Sequence, residues 1–278
     1  MKVRMKFQKY GAMKFIGHLD VMRYFQKAFR RAELDSEYTQ GYNPHQVMSF
    51  ASPLGLGLTS DGEYMDIGLK SSQSPEIMVK RINGVMSEGF RIIGYHILKE
   101  PGENEKIVTA MSLVSSSDYI VSLKDGYSLG DKIAIKDEFR KAFLEFINKS
   151  QIIINKKTKK SEKLVDIKPM ISLVAFDVVE YKDKLEGVIS SGSASIDKFQ
   201  SYTEDAESVA DTYDNGIKVY LQLDTGSVSN LKPELVMEAF CRHINTEYNP
   251  YAWQVHRLEM YARDDKTNKL TSLDKLEK

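Results

Sequence analysis

Hydrophobic and polar positions alternate over residues 2–9, with Val3, Met5 and Phe7 apolar and Lys2, Arg4 and Lys6 basic. A period of two predicts a strand with one buried face and one basic face. The period then changes. Leu19, Met22, Phe25, Ala28 and Phe29 recur at helical spacing and predict an amphipathic helix over 18–33. Arg23, Lys27, Arg30 and Arg31 recur on its other side. Tyr38 to His45 is dense in turn residues, 46–51 reads as a strand, Pro53, Gly55 and Gly57 mark a turn, and 63–69 reads as a strand. Ser74-Pro75-Glu76 is a helix start, with Ser as N-cap, Pro in the first turn and an acid suited to the dipole. Ile77, Met78, Ile82, Val85 and Met86 form its apolar stripe, Gly89 is its expected stop, and 90–98 is a strand.

This order, βαββαβ, is that of a ferredoxin-like unit. Pro101 to Glu105 breaks the pattern and makes 101–111 a linker. The second half repeats the order less cleanly. It has a strand at 119–123, a helix at 137–148 with Phe139, Phe143, Phe146 and Ile147 on one face, and a hairpin with a basic tip at 156–160. Then come an apolar segment at 171–179, a strand at 217–223, a helix from Pro233, and a closing strand at 251–260. The expected architecture is α+β, two tandem ferredoxin-like units at 1–100 and 112–262. Residues 181–216, rich in Ser and acids, read as a surface insertion in the second unit, and 263–278 as a polar, frayed tail.

The 278 residues carry 39 Lys and Arg against 39 Asp and Glu, which excludes a globally basic nucleic-acid binder. The balance is uneven along the chain. Residues 1–50 hold nine basic and four acidic side chains, residues 201–250 three and nine. With one cysteine, Cys241, the chain supplies neither an intrachain disulfide nor a three-cysteine iron–sulfur site. An apolar helical context predicts a buried thiol there. With no signal-like run and no long apolar stretch, the expectation is a cytoplasmic chain without a membrane span.

Four segments occur in order: His18-Leu19-Asp20, Gln40-Gly41-Tyr42-Asn43-Pro44-His45, Ser49-Phe50-Ala51-Ser52-Pro53-Leu54 and Glu63-Tyr64-Met65-Asp66. Their order and spacing resemble the radical SAM-associated family, a bacterial domain of unknown function. The likeness is clear over about residues 1–100 and thins to Val165–Pro169 and Thr225–Glu234 beyond. It implies partnership with a radical SAM enzyme rather than radical chemistry in this chain, and it supplies no substrate.

The candidate binding surface is Arg23, Lys27, Arg30 and Arg31 with the loop residues Gln40, Tyr42, Asn43 and His45. Guanidinium groups match phosphate oxygens, and an aromatic ring with amides and an imidazole suits a base. Lys2, Arg4 and Lys6 would extend the surface. The bland alternatives are a solvated helix face and a turn in which Tyr42 covers the core. His18, Asp20, His45, Glu63 and Asp66 are the candidate reactive cluster. His18 and His45 could serve as acid and base on an RNA 2′-hydroxyl, and His18, Asp20, His45 and Glu63 could hold a metal. Gly55-Leu56-Gly57 is a turn rather than a nucleotide loop, since no helix follows it. The leading expectation is a non-catalytic accessory protein positioning a substrate, RNA foremost, with no cofactor of its own. The alternatives are an endoribonuclease like the RAMP-type RNA-processing proteins, or a protein–protein adaptor.

Overall fold

The computed structural model describes residues 1–99, 108–130, 133–157, 162–189, 207–264 and 266–276. The first part contains β1 (Lys2–Lys9), α1 (His18–Arg31), β2 (Met48–Phe50), β3 (Thr59–Gly68), α2 (Pro75–Asn83) and β4 (Phe90–Ile97). The second begins with α3 (Ala110–Leu113), β5 (Val114–Leu123), α4 (Lys136–Ile147) and the hairpin β6 (Ile153–Lys157) and β7 (Glu162–Asp166). It continues with β8 (Ile171–Ala175), α5 (Val178–Val188), β9 (Lys218–Asp224), α6 (Pro233–His243), β10 (Trp253–Arg263) and β11 (Leu270–Ser272). Among the described residues no helix is long and apolar enough to cross a membrane.

The fold is α+β, built on one mixed nine-stranded sheet. Its main path runs β4-β1-β3-β10-β5-β9-β8, with β2 beside β3 and β11 beside β10, and β6 and β7 stand apart. The β3–β10 pairing is parallel, through Thr59 and Ser60 against His256 and Arg257. The other named pairings are antiparallel. On the edge away from β1, β3 is long enough to serve two neighbours. Met65 to Ile67 pair with β2, while its first two residues pair with β10.

α1 and α2 bury their stripes against β1, β3 and β4. Phe25, Phe29, Met5, Ile82 and Ile92 are fully buried there, each worth roughly 1.5–3 kcal/mol of transfer free energy. The α1 stripe is Val21, Phe25, Ala28 and Phe29, and Leu19 is 62% exposed. Leu19 precedes Phe25 by six residues, which at 100° per residue puts it about 120° around the helix. Ile77 likewise faces out, and Val79 takes the buried place expected for it. α2 ends at Asn83 with Gly84 as its cap, and the Ser74 side chain makes no capping bond. Gly89 serves β4 instead. At φ +99° its carbonyl accepts from Tyr10 N–H, and a Cβ there would meet Met13 Cγ at 2.4 Å. In the second half Phe139, Phe143, Phe146 and Phe240 form an aromatic cluster with Trp253 under α4 and α6, and Cys241 is buried in the same core.

Three expectations are corrected. The region read as insertion from 181 begins inside α5, whose Tyr181 and Leu185 are buried. Two large side chains a helical turn apart suffice to dock it on β8 and β9. The region read as frayed tail forms β11 and a further 3-10 turn, and Leu270 and Leu273 are fully buried. The basic face of β1 is solvated only at its start: Lys2 is half-buried, while Arg4 and Lys6 are covered by that C-terminal segment and by β10. Residues 190–206 of the insertion and 158–160 of the basic hairpin tip lie outside the described residues.

Candidate functional site

Along the middle of the sheet, charged residues interrupt the apolar phase of three strands. Phe7 in β1 is followed two residues on by Lys9. Glu63 in β3 precedes Met65 and Ile67, and Arg257 in β10 follows Trp253 and Val255. All three charged side chains are buried. Arg257 Nη1 donates to both Glu63 oxygens, at 2.9 and 3.1 Å, and to the Ser52 carbonyl at 3.2 Å. Lys9 Nζ donates to the Ile16 carbonyl at 3.2 Å. Burial pushes the Glu63 carboxyl up against the pull of Arg257, and burial lowers the Lys9 ammonium against the pull of Glu63.

Lys9 and Glu63 line a small pocket with His18, Ser52, Phe50 and Leu54. His18 opens α1 and is half-buried, its ring edge-on to Phe50 with centroids 5.2 Å apart. Burial first, then the Lys9 charge, lowers its pKa, which favours the neutral imidazole. The cavity is small, with room for about one oxygen atom.

The other expected members of the reactive cluster lie elsewhere. Asp20 is exposed and pairs with Arg23 at 3.3 Å. Asp66 is buried and receives Arg4 Nε at 2.8 Å and Nη2 at 3.1 Å. His45 bonds within its own hairpin, to Asn43 O and Thr39 Oγ1. His18 and Glu63 therefore share a pocket that His45 does not line. Among the described residues no group of three or more His, Cys, Asp or Glu is arranged to hold a metal, so the expected His18–Asp20–His45–Glu63 set is not assembled.

Behind the sheet a second set of charges is closed off. Lys6 Nζ meets Glu259 at 2.5 Å and Asp274 at 3.5 Å, and Tyr64 donates to Glu259 at 2.7 Å. Burial would lower the Lys6 ammonium, but the two carboxylates overturn that and raise it. Asp61 accepts from Gln8, Ser208, Val209 N–H and His256, whose other nitrogen bonds Thr59 Oγ1 at 2.8 Å. Burial works to raise the Asp61 carboxyl, yet those bonds and the adjacent imidazole hold it below the usual range. These groups are consumed in mutual contacts and present nothing to a ligand.

The outer surface differs. Arg23, Lys27, Arg30 and Arg31 of α1 are all exposed. At the C-terminal ends of α1 and α2 the chains cross-link: Arg31 donates to Val85 O at 3.0 Å, and Arg81 donates to Glu33 O. Lys80 and Arg81 of α2 thus continue the basic surface, an extension that reading α1 by itself missed. Past Ala32 the chain enters a hairpin anchored on the end of β3, by Lys70 N–H to Asp35 O and the Ser36–Leu69 bridge. Its tip exposes Gln40, Asn43 and His45, and Tyr42 is wholly solvent-exposed, so it covers no core.

Residues 2–233 match the family described as "Uncharacterized protein conserved in bacteria (DUF2344)". The chain belongs to that family. The DUF2344 match spans the basic helix pair, the exposed hairpin and every residue lining the pocket, while Arg257, which holds Glu63 from behind, comes from β10 beyond it. No curated protein matches the chain.

Proposed function

We propose that this DUF2344 protein is a non-catalytic accessory module that presents an RNA to a radical SAM enzyme in the cytoplasm. The observation that carries the reading is the contrast between its two sets of cations. Arg4 and Lys6 are locked in buried ion pairs, whereas the α1 cations stand in solvent, with Asp20 offsetting Arg23. Exposed Arg and Lys are the ordinary means of holding a phosphate backbone, and the bare Tyr42 ring adds a stacking surface. The radical SAM partner rests on the family resemblance of residues 18–66. Cys241, the one cysteine, is buried and has no part in a cluster of its own.

In the same reading the scaffold is two ferredoxin-like units joined edge to edge. Supporting this, β4-β1-β3-β2 and β10-β5-β9-β8 repeat one antiparallel order, last-first-third-second. The hairpin β6–β7 and helix α5 would then be insertions in the second unit.

The test is fluorescence anisotropy with a labelled single-stranded RNA. Binding is expected to weaken steeply with salt, with a log–log slope near −0.7 per phosphate contact. The double change Arg23→Ala, Arg30→Ala should flatten that slope. Tyr42→Ala should weaken binding by about 1–3 kcal/mol without changing stability. Absent or salt-insensitive binding overturns the RNA reading, and capture of a radical SAM enzyme from a nuclease-treated lysate would then leave a pure adaptor.

A further inference from the structure

We propose that the pocket beside α1 is an oxyanion site in which Lys9 takes one anionic oxygen of a phosphate or carboxylate group. This does not depend on RNA binding. Two lysines of one strand set up the argument. Lys6 and Lys9 are both buried, but Lys6 faces two carboxylates and Lys9 faces none within 4.0 Å among the described residues. An ammonium offers three donors, and Lys9 uses one of them, on the neutral Ile16 carbonyl. A buried charge so poorly matched is costly, and an anion brought to it recovers that cost.

The neighbours suit that guest. Glu63 is the one acid in the pocket lining; it attracts Lys9 without an ion pair within 4.0 Å, and Arg257, which holds both its oxygens, opposes that attraction. Ser52 lines the same space, and its hydroxyl makes no hydrogen bond among the described residues. His18, also in the lining, is the first residue of α1, whose N-terminus has Gly17 as its cap and no side-chain capping bond. The positive end of that helix reinforces Lys9. Space sets the size of the guest: one oxygen fits within, and the rest of the group stays at the opening.

The test uses the full chain and small anions. Sodium phosphate and sodium acetate are titrated at fixed ionic strength, following the NMR signal of the Lys9 side-chain nitrogen and the melting temperature. A saturable shift with one of them is expected and identifies the group. Lys9→Met should weaken that anion about tenfold or more, the loss of a charge-assisted hydrogen bond. Ser52→Ala should weaken it several-fold, and Arg30→Ala should leave it unchanged. If Lys9→Met does not fold, the wild-type Lys9 signal and Ser52→Ala decide. No saturable response to either anion, or a response that Ser52→Ala leaves intact and Arg30→Ala abolishes, overturns the proposal, the second outcome placing the ion on the basic helix face.

Discussion

Arg4 shows how much a single side chain can carry in this protein. It is fully buried, it meets both oxygens of Asp66, and its Nη1 reaches the Leu273 carbonyl. Asp66 also accepts from Ala110 N–H, so the pair ties β1, β3, α3 and the C-terminal turn together. Removing one partner of a buried pair strands the other charge in a low-dielectric interior. Arg4→Ala is therefore expected to destabilise the fold by about 3–5 kcal/mol in chemical denaturation. A loss under 1 kcal/mol would mean that water reaches Asp66 and the closure of this face is looser than described.

Helix α5 docks by a polar contact as well as an apolar one. Tyr181 donates to Asp118 in β5, Tyr261 donates to the same oxygen at 3.0 Å, and Gln222 donates to the other at 2.9 Å. Burial raises the Asp118 pKa from 3.8 to about 6, although all three donors oppose it. The folded protein therefore binds this proton more tightly than the unfolded chain, and stability falls as pH rises from about 4 to 6, then levels off. The contribution is roughly 3 kcal/mol. Asp118→Asn keeps an acceptor for the two tyrosines and lets a turned Gln222 amide accept from the new one. It should abolish that part of the pH dependence while α5 stays docked. Denaturation midpoints measured from pH 4 to 7 in both proteins check it, and an unchanged profile would assign the titration elsewhere.

Across the whole molecule, the two halves meet through polar groups beside a small apolar cluster that joins Ala51 and Tyr64 to Met260 and Leu273. Glu63–Arg257, Lys6–Glu259 and Thr59–His256–Asp61 all span β10 and the first-half strands. The backbones approach closely there, for a Cβ on Gly62 would meet Leu258 O at 2.6 Å. Unpairing these charges would leave them buried alone, so neither half should open without the other. Trp253 fluorescence reports the second half and hydrogen exchange of β1 amides the first, and both are expected to give one coincident transition. Two separated transitions would show that the junction is only a contact between independent bodies.

Most elements were legible along the chain because each depends on local periodicity, whereas β11 and most of α5, largely polar, read as tail and insertion. The alternation at 2–9, the stripe of α1, the Pro75 and Pro233 helix starts and the apolar runs of β8 to β10 all correspond to described elements. The exposure of Arg23, Lys27, Arg30 and Arg31 also follows from spacing. Lys9, Glu63 and Arg257 carried a signal too, as charges standing in the apolar phase of their strands, but nothing local says which partners meet there. Pairing was decided by the sheet, which brings residues 63 and 257 into one ion pair and leaves His18 and His45 apart. The fate of Arg4 and Lys6 was equally non-local: a strand's polar face is solvated only if nothing lies over it. Here the covering comes from residues near 259 and 273, more than two hundred positions away. Periodicity sets which way a side chain points, and tertiary structure sets what it points at.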